Sequence, residues 1–236
     1  MKKRVSAVLL SAAVAVSMVA ATAATAFAAD TVKIGVYEPA SGDNGAGGKQ
    51  ETLGIQYANS VQPTVELDIV DNESSNDKGP SAASKLVSDG VSVVLGSYGS
   101  SVAIAASDIF KQGGVPAIGV TCTNPQVTQG NTHYFRICFL DPFQGTVLAN
   151  FASDKFKAKK AYVLTKQGDD YSAGLGHYFT KAFEDAGGEV VSDTFPEGNS
   201  DFASYVTTAK NEGADVFFAP VSTEAAALII DQAASQ

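Results

Sequence analysis

Hydroxyl side chains cluster in two turns, each of which directly follows a predicted strand. The first turn, residues 96–101 (GSYGSS), follows an apolar strand, and the second, residues 121–125 (TCTNP), follows another. Hydroxyl groups and the unpaired N–H groups at a helix start can together hold an anion such as a carboxylate. Ligands of open α/β sheets bind at the carboxyl ends of the strands, so the two turns predict two walls of one site.

The elements that must position these turns alternate strictly between strand and helix. Period-2 and β-branched patterns predict strands at 32–38, 65–72, 92–96, 116–120, 134–139, 161–166, 189–195 and 215–220. Apolar periodicity predicts helices at 49–59, 80–89, 101–112, 142–155, 174–186 and 201–212, and one that begins near Thr223. This alternation predicts an α/β fold in which helices flank mostly parallel sheets.

The element order predicts two lobes, because a fresh β/α series begins after strand 134–139 (YFRICF). We assign residues 30–140 to the first lobe and residues 141–236 to the second, with the natural ligand site in the cleft between them. The second series stops inside a helix without a closing strand, so we expect this lobe to be incomplete.

The first 29 residues have the pattern of a secretory signal peptide. Lys2, Lys3 and Arg4 precede an uncharged run that ends in Ala-Phe-Ala, which predicts cleavage after Ala28 or Ala29. The alternative is an uncleaved membrane anchor, although Ala, Ser and Thr dominate the run. The sequence therefore predicts an exported protein, either periplasmic or extracellular and associated with the cell surface.

Charge and cysteine content restrict the partners and the redox chemistry. The formal net charge of −9 disfavours binding to nucleic acid and to anionic lipid. An oxidising compartment would allow the two cysteines, Cys122 and Cys138, to form a disulfide, and the alternative is two buried free thiols. Two cysteines without a nearby histidine pair do not predict a metal site.

Motifs for nucleotide binding and catalysis are incomplete. The glycine-rich stretch 42–48 leads to Lys49 and Gln50, which satisfies neither the phosphate-loop nor the dinucleotide-binding pattern. The acids between Asp68 and Asp77 lack the spacing of a calcium loop. There is no nucleophile elbow, and nothing singles out a catalytic base, so we expect a binding protein rather than an enzyme.

The ordered motifs resemble those of the type I periplasmic binding proteins, in particular the leucine/isoleucine/valine-binding branch that serves ABC transporters. The matching stretches are IGVYEPASG, VSVVLGSYGSS, GVPAIGVTCTNPQVTQG, HYFRICFLDPFQG, DDYSAGL and EGNSDFASYVTTAKNEGADVFF. The resemblance implies two lobes that close over a small ligand, a monomer, no cofactor, and delivery to the permease subunits of the transporter.

The resemblance also implies roles for individual residues. The ligand carboxylate would meet the Ser100 hydroxyl and the N–H groups of its helix start, next to Gly99 and Ser101. The ammonium group would meet Thr121 and Thr123, with Cys122 between them. Tyr171 and Ser222 would approach from the second lobe. The alternatives are local roles: helix capping at the serines, turn formation at Thr123 and packing at Tyr171.

Three departures from the family pattern affect the ligand side chain. Residues 45–48 (GAGG) replace a first-loop aromatic residue, so we expect that wall of the pocket to be missing or made by backbone. Residues 221–223 provide no aromatic ring, and the acidic residue that completes the ammonium site would lie beyond Gln236. The predicted function is capture of a small amino acid, of the branched-chain type, for delivery to an ABC permease. The alternatives are a sensor or receptor domain, or a binding protein for a short-chain amide or urea-like ligand.

Overall fold

The computed structural model describes residues 31–236, and every predicted strand and helix is present. The first eight elements are β1 Val32–Glu38, α1 Gly45–Val61, β2 Val65–Asp71, α2 Gly79–Ser88, β3 Val93–Leu95, α3 Ser100–Gln112, β4 Ala117–Gly119 and β5 Tyr134–Arg136. A short 3₁₀ turn, Pro125–Val127, precedes β5. Seven more follow: α4 Asp141–Lys155, β6 Lys160–Lys166, α5 Asp170–Asp185, β7 Glu189–Phe195, α6 Ala203–Asn211, β8 Val216–Phe218 and α7 Thr223–Ala234.

Two helices begin four residues earlier than predicted. Helix α1 starts at Gly45, inside the glycine-rich stretch, and its Gly48 packs so close to Pro39 that a Cβ there would be 2.2 Å from the Pro39 carbonyl oxygen. Helix α5 starts at Asp170, because the Asp169 side chain accepts a hydrogen bond from the Ser172 N–H (3.0 Å) and caps the helix. The sequence offered Asp169 or Asp170 as a helix cap, and the structure shows that Asp169 is the cap.

The first sheet has the strand order β2-β1-β3-β4-β5, and all its strands are parallel. Chain order reverses between β1 and β3, and ligands of such sheets bind in the crevice that this reversal opens at the carboxyl ends of the strands. At this edge, β1 is followed by the loop to α1, and β3 is followed by the turn to α3. We refer to β1–β5 with α1–α3 as the first lobe.

The second sheet has the order β7-β6-β8, again parallel, with β6 in the centre. The reversal therefore lies between β6 and β8, whose carboxyl ends lead into α5 and α7. We refer to β6–β8 with α4–α7 as the second lobe. The boundary at residues 140/141 stays a prediction, and the predicted signal segment 1–29 lies outside the described residues.

Aromatic and aliphatic side chains fill separate cores in the two lobes. In the first lobe, the Phe110 ring packs edge-on against Tyr37 and Tyr134, with centroids 5.4 and 6.3 Å away. In the second, Phe179 stacks on Phe183 and Phe218, joining α5 to β8. Within residues 31–236, no helix combines the length and the apolar character that spanning a bilayer would require.

Candidate functional site

A cleft of about 260 Å³ lies where the carboxyl ends of the two sheets face each other. The strand-order reversals of both sheets open onto this cleft. Open α/β sheets bind their ligands at such reversals. Its volume suits a ligand smaller than a typical drug molecule. The lining residues come from the starts of five helices and from the turns that precede them: Asn44, Tyr98, Gly99, Ser100, Ser101, Thr121, Thr123, Cys138, Phe139, Gln144, Asp169, Tyr171, Val221 and Ser222.

The N-caps of four helices line this cleft. They are Asn44 of α1, Gly99 of α3, Asp169 of α5 and Ser222 of α7. Each helix start carries partial positive charge from its unpaired N–H groups and its macrodipole. The cleft therefore favours an anionic group. The first N–H groups of α1 and α3 have no side-chain cap, whereas Asp169 and Ser222 cap α5 and α7, so α1 and α3 are the helix starts most available to a ligand.

Ser100, the first residue of α3, is placed to add a hydroxyl donor to these N–H groups. It is 2% exposed, and its Oγ accepts a hydrogen bond from the Asn124 N–H (3.2 Å). Since that bond uses a lone pair of Oγ, the hydroxyl proton is left to be donated. A carboxylate at the start of α3 would accept it.

A buried acid lies next to this anion-binding end. Asp141, at the first position of α4, is 0% exposed, and neither carboxylate oxygen has a hydrogen-bonding partner among the described residues. Its N–H donates to the Thr123 carbonyl (3.1 Å), which places Asp141 directly behind a residue that lines the cleft. The Thr123 hydroxyl oxygen also lacks a partner. The Thr123 hydroxyl therefore presents an acceptor at the cleft wall, and Asp141 places an acidic group directly behind it.

The environment of Asp141 opposes its charge. Burial raises the pKa of its carboxyl, while the nearby Thr123 hydroxyl and the Arg136 guanidinium lower it. Arg136 does not pair with this carboxylate, because it donates to the carbonyls of Cys122 and Asn124, both at 2.9 Å, and to other groups of the same turn. An ammonium ligand would supply the missing counter-charge. Sequence reasoning missed Asp141, since an acid before a proline at a helix start is also an ordinary capping pattern.

Thr121 lines the cleft but directs its hydroxyl away from the predicted ammonium position. The hydroxyl donates to Glu51 Oε1 (2.6 Å), and Glu51 lies beside the buried Glu38. Glu38 Oε1 and Glu51 Oε2 have no other partner in the described part of the chain, and a proton shared between them satisfies both. Glu38 Oε2 accepts from the Tyr98 N–H (2.7 Å). This acid pair therefore fixes both hydroxyl-rich turns.

Replacing Glu38 with glutamine should make protein stability less dependent on pH. Burial and the adjacent Glu51 raise the pKa of Glu38 well above its ordinary value. Folded protein then keeps a proton that unfolded chain loses above about pH 4.5, so the free energy of unfolding falls as the pH rises. A glutamine side chain can make the same two hydrogen bonds, to the Tyr98 N–H and to Glu51, without ionising. At pH 8, Glu38→Gln should gain about 2 kcal/mol over the parent in urea unfolding, with less gain at pH 5.

The exposed Glu184, outside the acid pair, provides the control for this prediction. Glu184→Gln should leave the pH dependence of the parent protein unchanged. If Glu38→Gln loses stability equally at pH 5 and pH 8, the acid pair does not share a proton.

The predicted residues of the second lobe reach the same cleft. Tyr171 lines it, and burial and the nearby Asp141 and Tyr98 raise the pKa of its phenol, while Gln144 lowers it through a hydrogen bond. Ser222 also lines the cleft, and its Oγ caps α7 through the Ala225 N–H (3.3 Å). These positions agree with the predicted roles, which remain predictions.

Ser101 connects the lobes. Its Oγ accepts from the Asp170 N–H (2.7 Å), and its hydroxyl lies 3.4 Å from Asp169 Oδ1. Nearby, the Asn124 side chain donates to the Asp170 carbonyl (2.7 Å). Lys166, at the end of β6, also forms an ion pair of 2.6 Å with Asp43, in the loop before α1. We call these bonds the cross-lobe contacts. In these contacts the Ser101 hydroxyl is hydrogen-bonded to the start of α5.

The structure does not contain the predicted disulfide between Cys122 and Cys138, since both residues are free thiols. Cys122 is fully buried in the first-lobe core, with its Sγ packed against Gly119, whereas Cys138 lines the cleft. The two side chains therefore lie in different surroundings. Cys122 does not line the cleft, so among the predicted ligand-binding residues it alone is absent from the wall.

A tyrosine provides the wall that we expected to be missing or made by backbone. Gly47 leaves space on α1, and the ring of Tyr98 fills it; a Cβ on Gly47 would lie 2.3 Å from Tyr98 Cε2. The other expected gap is real, because the second lobe contributes Val221 and Ser222 there rather than a ring. In the described residues, no group of three or more His, Cys, Asp or Glu side chains could hold a metal ion.

Comparison with known proteins identifies the family. The sequence profile of the periplasmic binding protein family matches residues 31–236. The Leu/Ile/Val-binding protein BraC3 of Rhizobium johnstonii is 34% identical over 213 residues, which cover 86% of this chain and 58% of the relative. The chain thus spans little more than half the length of the curated relative.

Two solved structures share the fold. One is the substrate-binding protein LivJ of a branched-chain amino acid transporter from Streptococcus pneumoniae, in complex with isoleucine: the TM-score is 0.73 and the identity 31%, covering 80% of this chain and 56% of that one. The other, a solute-binding protein of an ABC transporter from Rhodopseudomonas palustris in complex with 3,4-dihydroxybenzoic acid, has a TM-score of 0.77 and 26% identity, covering 87% and 58%. The chain therefore belongs to the periplasmic binding protein family, with the type I fold that its motifs predicted.

Proposed function

We propose that this protein is an exported solute-binding protein that captures an α-amino acid with an apolar side chain and delivers it to an ABC permease. One observation carries the proposal: the cleft is lined by an anion-binding helix start, with Ser100, and by Thr123, directly behind which lies the buried acid Asp141. An amino acid carries a carboxylate and an ammonium group a short distance apart, so it matches both ends.

The rest of the cleft favours an apolar ligand side chain. Tyr98, Phe139 and Tyr171 contribute rings, and Val221 contributes an aliphatic group. The names of the relatives agree with this choice, since BraC3 is called a Leu/Ile/Val-binding protein and the LivJ structure contains isoleucine. A short-chain amide or a urea-like ligand carries no charge, so it would leave both charged ends of the cleft without a partner.

An aromatic carboxylate is the second candidate. The aromatic wall and the helix starts suit such a ligand, and the Rhodopseudomonas palustris protein was solved with one. A benzoate, however, provides no cation for Asp141, which would remain buried and unpaired. We therefore favour the amino acid.

Calorimetric titration of the purified protein with leucine, isoleucine, valine, butyramide and 3,4-dihydroxybenzoate tests the proposal. We expect heat of binding for at least one branched-chain amino acid and none for the amide. Binding of 3,4-dihydroxybenzoate alone would select the second candidate. Binding of none of these compounds would contradict the proposed function.

The variant Ser100→Ala should weaken amino-acid binding by about tenfold or more, because it removes a hydrogen bond to a charged carboxylate. The control is Ser60→Ala, at an exposed serine whose hydroxyl bonds only within α1. Calorimetry with leucine measures both variants. Unchanged affinity in Ser100→Ala would remove this serine from the site.

A further inference from the structure

Tyr98 and Gly47 form a pair that no motif in the sequence indicated. Tyr98 belongs to the turn between β3 and α3, and Gly47 lies in the first turn of α1; of the two residues, Tyr98 lines the cleft and Gly47 does not. A Cβ built on Gly47 would lie 2.3 Å from Cε2, 2.4 Å from Cζ and 2.9 Å from Cδ2 of that ring. Such separations are far inside van der Waals contact, so the ring can keep its position only because residue 47 has no side chain.

The backbone of Tyr98 is held independently of its ring. Its N–H donates to Glu38 Oε2 (2.7 Å), and its carbonyl oxygen lies 3.3 Å from the Thr121 hydroxyl oxygen. Because these contacts involve the main chain, pressure on the ring from α1 would be relieved by rotation of the side chain. On its other side the ring faces the cleft and lies near the Tyr171 phenol of the second lobe. Ring movement away from α1 is therefore movement into the ligand space.

We propose that Gly47 determines which side chains the cleft accepts, by setting how far the Tyr98 ring withdraws from the ligand. The inference rests on the proposed function, because it concerns the side chain of the bound amino acid. Gly47 is a positioning residue: it does not line the cleft, and it acts only through Tyr98. With glycine at position 47, the cleft keeps room for a leucine-sized side chain against the Tyr98 ring.

The test uses two glycines of the same helix. Gly47→Ala should push the ring into the cleft and lower the affinity for leucine relative to alanine by about tenfold, since a few methylene groups in an apolar pocket change binding by this factor or more. Gly54→Ala is the matched control, because a Cβ there would meet no atom within 4 Å. Both variants add the same methyl group to α1, so a general effect on the helix would appear in both.

A third variant tests whether Gly47 acts on ligand specificity through the Tyr98 ring. Tyr98→Ala removes the ring, so the ratio of phenylalanine to leucine affinity should rise by about tenfold, and adding Gly47→Ala to it should change this ratio no further. Isothermal titration with alanine, valine, leucine and phenylalanine gives all the ratios. If the parent protein binds none of these amino acids, the proposed function is wrong. If the parent binds leucine and Gly47→Ala keeps the parental order of affinities, the inference on Gly47 is wrong and the proposed function stands.

Discussion

Replacing Asp141 with asparagine should weaken leucine binding by about 100-fold and, at the same time, stabilise the empty protein. The loss is expected because removing one member of a buried charge pair costs several kcal/mol of affinity. The gain is expected because the carboxylate is fully buried and unpartnered when the cleft is empty, and an unpaired buried charge is destabilising. Calorimetry with leucine and urea unfolding without ligand measure the two effects.

The ligand 4-methylpentanoate, which is leucine without its amino group, controls the first measurement. Asp141→Asn should bind this compound at least as well as the parent protein does, because no ammonium group is involved. Asp154→Asn, at an exposed aspartate of the same helix, should change neither binding nor stability. An equal loss of affinity for leucine and for 4-methylpentanoate would mean that Asp141 supports the structure of the site without meeting the ammonium group.

Replacing Phe110 with alanine should lower the free energy of unfolding by about 3–5 kcal/mol, because truncating a buried aromatic ring loses its burial and leaves a cavity. The ring is 0% exposed and contacts both Tyr37 and Tyr134. The Tyr134 hydroxyl in turn donates to the Gly96 carbonyl (2.7 Å), at the start of the turn that carries Ser100. We therefore expect weaker ligand binding as a secondary effect. Urea unfolding followed by circular dichroism gives the stability change.

Phe156 provides the control for this substitution, since it is 62% exposed. Phe156→Ala should change stability by only about 0.5 kcal/mol, as surface substitutions usually do. If Phe110→Ala lowers the free energy of unfolding no more than Phe156→Ala does, the stability of the first-lobe core does not depend on the Phe110 ring.

The sequence was sufficient to predict the α/β class because local patterns decide it. A short Val-rich run such as β3, between two helical segments, can form only a strand that is covered on both faces. The order β2-β1-β3-β4-β5 could not be predicted in the same way, because strand neighbours depend on pairings between distant residues. The early starts of α1 and α5 were missed because glycine and aspartate also occur in loops.

The residues around the candidate site could be predicted to different degrees, and their roles in binding stay predictions. Ser100 follows a strand and begins a helix, so its position at the ligand-binding edge follows from local sequence alone. Asp141 was missed, because only the three-dimensional structure shows that its oxygens are buried without a partner. The position of Tyr98 was missed for a related reason: the direction of a ring on a turn depends on the space left by Gly47, 51 positions earlier in the chain.

The cross-lobe contacts have a kinetic consequence. Three contacts join the two lobes: Ser101 with Asp170, Asn124 with Asp170, and Lys166 with Asp43. If the protein captures a solute as we propose, the solute would enter only while these bonds are parted, and the association rate would be the diffusion-limited rate reduced by the fraction of time that the cleft is open. The same bonds would re-form over the captured solute and slow its escape. We therefore expect these contacts to affect the retention time of the solute more than the rate of its capture.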